Sequence, residues 1–166
     1  CFTPPHPDDP LVRHLESHGY EVKHLATCKT FSEHVALGDS ALNLVTHPTA
    51  LPAAKALDMP YLYIPVCYDD AELAAQYEAV CAALGIPALT PVAPDFSSLT
   101  GRHIVIDDGA TWRPFSLAQR LLAEGAAVTR IFADAPPPPE QAAAKILAGF
   151  VDIVPHTPKA TADMPR

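Results

Sequence analysis

Residues 41–66 read ALNLVTHPTALPAAKALDMPYLYIPV. The first six are an apolar run without alternation, as in a parallel strand buried on both faces. Residues 48–57 have helical composition, with prolines confined to the first turns, where a missing N–H does no harm. Residues 60–66 are β-branched and aromatic and read as a second strand. Strand, helix and strand in so short a span predict a parallel pair joined by a crossover. His47 stands where the first strand ends.

The same alternation extends outward on both sides. Residues 8–19 predict a short helix, with acidic residues and Pro10 at its start and Gly19 at its end. Residues 20–26 alternate and predict a strand. Thr30 and Glu33 form a capping-box pattern opening a two-turn helix over 30–37. Residues 69–85 predict the longest helix, with two Asp at its start, an apolar stripe at 73, 77, 80, 81 and 84, and Gly85 at its end. Residues 86–100 hold three prolines and two serines and read as a linker. Beyond it come a strand over 102–108, a helix over 114–125 and a strand over 126–134. A proline run, Pro136–Pro139, leads into a helix over about 139–148, and a last strand covers 150–155.

Alternating strands and helices signal an α/β protein with parallel sheets. The expected division is an α/β unit over 1–88, a Pro-rich linker over 89–100, a second and partial α/β unit over 101–155, and a tail over 156–166. The segments 13–26 and 120–133 echo each other as helix, glycine turn and strand. The helix at 8–18 has only Cys1–Phe2 before it to supply a strand, and no covering helix follows the last strand. The sequence is therefore expected to be incomplete at both ends, a piece of a longer chain.

The 166 residues include 19 acidic and 11 basic side chains, a net charge of −8. That balance argues against nucleic acid and against an anionic membrane surface. No apolar run approaches the roughly 18 residues of a spanning helix, and no leader pattern is visible. Cysteines stand at 1, 28, 67 and 81 without a C-x-x-C spacing, so no zinc ribbon or ferredoxin-type run is encoded. Reduced thiols and a cytoplasmic location are expected. No G-x-S-x-G, P-loop or H-E-x-x-H occurs, which leaves hydrolase and NTPase chemistry without local support.

In open parallel sheets ligands gather beyond the carboxyl ends of the strands. The loops there hold Thr3 and His6, Thr27 and Cys28, His47 and Thr49, Cys67 and Tyr68, and, in the second unit, Asp107, Asp108, Gly109 and Trp112. Cys28, His47 and Cys67 form the candidate metal set, since thiolate and imidazole suit zinc, iron or an iron–sulfur centre. Thr27, Thr49, Asp107 and Asp108 are the candidate cofactor contacts. An Asp-Gly turn entering a helix is the commoner explanation of Asp107–Gly109, a strand-end Cys is usually a small buried hydrophobe, and a lone His before a helix is often a cap or a satisfied surface group. Cys81 lies on the apolar stripe and is expected in the core.

The span ALGDSALNLVTHPTALPAAKALDMPYLYIPVCYDDAELAAQYEAVCAALG (36–85) is similar to the nitrogenase component 1 family of oxidoreductase subunits. That family includes dark-operative protochlorophyllide reductase, the nickel-sirohydrochlorin reductive cyclase and cofactor-assembly scaffolds. The carrying motifs are the A-x-L-N-L-V strand, the LPAAKAL helix, the M-P-Y strand and the helix ending in ALG. LTGRHIVIDDG and LAQRLLAEGAAV, further on, resemble the strand and helix that open the family's next domain. The likeness covers most of residues 8–154. It implies Rossmann-like units of the nitrogenase iron–molybdenum protein type, one whole and one partial, out of three in such a subunit. It also implies a paralogous or identical component 1 subunit as partner and an ATP-dependent reductase as electron donor. An iron–sulfur cluster or metallocofactor would belong to the intact protein. Where cofactor-bearing members carry a ligating cysteine, this sequence has His47 or a position within one residue of it. His47 is thus expected at the mouth of the pocket as a proton donor, histidine being the side chain that exchanges protons near neutrality. The isolated chain is expected to be inactive. Two other readings stay open: a non-catalytic scaffold for a metallocluster or tetrapyrrole, and a metal-receptor-type binding domain.

Overall fold

The computed structural model describes residues 5–92, 94–107, 110–133 and 152–155. It is a mixed α/β chain with two small parallel sheets. The chain divides into two compact units, Cys1–Ala93 and Pro94–Arg166. Thr3, Asp108, Gly109, the proline run, the expected helix over 139–148 and the tail over 156–166 lie outside the described residues.

The first unit starts with helix α1 (Pro10–Ser17), capped by Asp9, whose Oδ1 accepts from the N–H groups of Leu11 and Val12 at 2.8 and 3.3 Å. Such a cap satisfies donors that the first turn leaves orphaned. Helix α2 (Phe31–Ala36) has the reciprocal Thr30–Glu33 capping box. Strand β1 (Asn43–Val45) is followed by a 3₁₀ turn, Pro48–Ala50, that runs into helix α3 (Leu51–Ala56) and then strand β2 (Tyr61–Tyr63). β1 and β2 pair in parallel, with Asn43 opposite Tyr61 and Val45 opposite Tyr63. Helix α4 (Asp70–Leu84) closes the unit; Asp69 caps it by accepting from Glu72 N–H at 2.8 Å. Its stripe is the one the sequence marks: Val80 and Cys81 are buried, and Leu73, Tyr77 and Leu84 are half-buried. Leu11, Leu15 and Val80 form the core, flanked by Tyr20, Val22, Leu42, Leu44, Leu62 and Ile64. Each fully buried side chain of this size contributes about 1.5–3 kcal/mol.

Two expectations need correction here. Residues 20–26 are not a strand. Tyr20 and Val22 pack against the core, as their alternation requires, but the chain then turns through a 3₁₀ segment at Leu25–Thr27. Alternation encodes which side chains are buried, and it forms a strand only where a neighbouring backbone can pair. Strand β1 is also not sunk on both faces. Val45 is buried while Asn43 and Leu44 are half-buried, and β2 is its one ladder partner among the described residues. Helix α2 buries none of its residues, and its Phe31 is 83 % exposed.

The second unit contains strand β3 (His103–Ile106), helix α5 (Pro114–Ala123), strand β4 (Ala127–Ala133) and strand β5 (Asp152–Pro155). The sheet order is β3-β4-β5, all parallel. The register slips once: Ile104 lies opposite Val128, but Val105 lies opposite Arg130. Thr129 is therefore an extra residue in β4, a bulge, and its hydroxyl donates to the Ile104 carbonyl at 3.3 Å. The bulge decides the packing. Residues three apart on a regular strand face opposite ways, yet Val128 and Ile131 are both buried, 2 % and 0 % exposed. Together with Ile106, Phe115, Ala118, Leu121 and Ala126 they form this unit's core.

Helices α1, α4 and α5 end alike. The residue after each closing glycine donates its N–H to the carbonyl five positions back: Tyr20 to Leu15, Ile86 to Cys81, and Ala126 to Leu121, at 3.0–3.1 Å. This is the Schellman arrangement, which requires a left-handed residue at the turn. At Gly125 the demand is greatest. Its φ is +81°, and an added Cβ would lie 3.3 Å from Thr100 Cγ2. The turn is also fixed from outside, because Gly101 N–H donates to the Gly125 carbonyl at 2.9 Å and Thr100 Oγ1 to the Glu124 carbonyl at 2.8 Å. Among the described residues no helix is long and apolar enough to cross a membrane.

Gly125→Ala should lower stability by about 1–2 kcal/mol, the penalty of a left-handed L-residue. Gly38→Ala, with open space around the new methyl, should stay within about 0.5 kcal/mol. Urea unfolding followed by far-ultraviolet circular dichroism distinguishes them; equal midpoint shifts would refute the role given to Gly125.

Candidate functional site

Parallel strands end on the same edge of their sheet, so β1 and β2 deliver their following loops to one side. His47 comes two residues after β1 and Cys67 four residues after β2. The pairing of Val45 with Tyr63 therefore places both on the carboxyl edge of the first sheet.

His47 has a defined local job. Its Nδ1 accepts from the Thr49 backbone N–H at 3.3 Å and lies 2.8 Å from Thr49 Oγ1, capping the turn Pro48–Ala50. An accepting Nδ1 carries no proton, so the neutral ring holds its proton on Nε2. The N–H and hydroxyl of Thr49 both engage His47. His24 repeats the device, its Nδ1 accepting from Ala26 N–H at 3.1 Å. In both places an imidazole does what an Asn or Asp side chain does in a turn.

The remaining candidates separate. Thr27 Oγ1 donates to the His24 carbonyl at 2.7 Å, and the half-buried Cys28 thiol reaches the same carbonyl at 3.8 Å. Thr27 ends a 3₁₀ turn and Cys28 follows it, with no strand before them, so the rule that placed them at the edge does not apply to them. Asp107 follows β3 in the second unit and is exposed, and its carbonyl accepts from Ala110 N–H at 3.3 Å. Asp108 lies outside the described residues. Among the described residues no three His, Cys, Asp or Glu side chains come together as a metal site. Cys28, His47 and Cys67 are thus not gathered into one centre, and the described donors do not fit a resident metal or cluster. Cys81 is buried in the core as expected.

Cys67 also acts electrostatically on a residue that spacing did not single out for chemistry. Tyr77, half-buried on α4, has its phenol pushed up from the usual 10.0 to about 12. Burial is the main cause, followed by the charges of Asp9, which caps α1, and Cys67. The phenol is thereby kept protonated beyond the usual tyrosine range. Only its place on the α4 stripe marked Tyr77 in the sequence, and that place signalled burial alone. In the second unit the Ser97 backbone N–H, 2.8 Å from Oδ1, holds the exposed Asp95 carboxyl below its usual value.

Comparison with protein-family models, with curated proteins and with solved structures finds no match to this chain.

Two predictions follow the geometry. His47→Asn should preserve the turn, since an Asn oxygen can accept the same N–H, whereas His47→Ala should cost roughly 0.5–2 kcal/mol, as cap deletions do. Hydrogen exchange at the Thr49 amide reports the difference, and equal protection in both variants would contradict the cap. For Tyr77, ultraviolet titration of the protein against Tyr77→Phe should reveal a phenol ionising near 12. Asp9→Asn keeps the cap and removes the charge, so that midpoint should fall but stay above 10, because burial outweighs the charge. The sign for stability follows. The folded phenol ionises later than the unfolded one, so the contribution is fully present below pH 10 and is lost as pH rises towards 12. Tyr77→Phe should abolish that slope.

Proposed function

We propose that this chain forms part of a nitrogenase component 1-like oxidoreductase subunit, contributing the α/β framework and strand-end loops that border a substrate cleft. The observation that supports this most directly is the order of elements over 36–85. A strand bearing the A-x-L-N-L-V motif pairs in parallel with the M-P-Y strand, and the helix ending in ALG follows. A second parallel unit then opens at LTGRHIVID, where the likeness in motif order continues.

In this reading the carboxyl edge of the first sheet faces the substrate. His47 stands at that edge as a proton carrier: the cap on Thr49 sets its ring, and it passes a proton on only as the imidazolium, a state in which that cap opens. Electrons would arrive from an ATP-dependent reductase acting on the assembled protein, with a second component 1 subunit as partner. Cys28, His47 and Cys67 do not by themselves gather into a ligand set, so no cluster is assigned to them. No step is routed through one.

The test is anaerobic. The natural gene product containing this chain, purified without oxygen, should carry iron and acid-labile sulfide and show visible absorption. The 166-residue chain, incubated with ferrous iron and sulfide, should take up no stoichiometric cluster. A natural product devoid of iron and sulfide would overturn the assignment, and a stoichiometric cluster on the short chain would overturn the expectation that the isolated chain holds none.

A further inference from the structure

We draw no further inference here: the strongest candidate, the open groove of about 360 Å³ between β2 and α4 lined by Leu62, Ile64, Pro65, Ala75 and Ala79, carries nothing because nothing in the structure shows what covers it.

Discussion

A parallel sheet cannot be made by folding a strand back on its neighbour. Each helix must carry the chain to the opposite edge and then release it in the original direction. In the second unit, where α5 carries the chain from β3 to β4, the release is a pair of hydrogen bonds at the helix end; α1 and α4 close in the same way, whereas α3, the crossover of the first sheet, ends at Leu57 in extended backbone. Beside the bond from the residue after the glycine to the carbonyl five back, the glycine's own N–H donates three back, Gly19 to Glu16, Gly85 to Ala82 and Gly125 to Leu122. Left-handed backbone at that point swings the following residue against the last turn. Ala126 is thereby buried beside Leu121, and β4 starts on the next residue, with Ala127 N–H donating to the Arg102 carbonyl at 2.8 Å. The turn and the first rung of the ladder are continuous, so the start of β3 is tied to the end of α5.

The elements easiest to read were those whose signal is local. Caps and closing glycines act within four or five residues, so Asp9, the Thr30–Glu33 pair and Gly85 were visible in the sequence as termini. The α4 stripe was legible because helical period and burial coincide. The failures came where the outcome depends on a distant neighbour. Residues 20–26 have a strand's alternation, but whether they pair depends on a backbone elsewhere. The Thr129 bulge is equally hidden, because its signature is two inward residues at the wrong spacing, which a regular strand pattern would count as one in and one out.

The candidate site divides on the same line. His47 and Cys67 could be placed on one edge because each follows a strand, and the pairing of β1 with β2 puts them there. Thr27 and Cys28 were assigned by the same rule applied to a strand that does not form. The task of His47 within its own loop was visible as an alternative, since histidine followed by Pro-Thr at a helix start is a cap pattern. The surroundings of Tyr77 were not visible, because Asp9, Cys67 and Tyr77 come from three separate elements that only tertiary packing relates.

The bulge in β4 gives this strand an unusual tolerance to change. The side chain of Thr129 is exposed, so exchanging it for another residue loses little beyond a hydroxyl contact. Removing the residue altogether spares the core as well. Val128, Arg130 and Ile131 would then follow one another as in, out and in, still opposite Ile104, Val105 and Ile106. The partners in β5, which are read against Arg130 and Ile131, would keep their places. At this point the strand carries one letter more than its ladder requires.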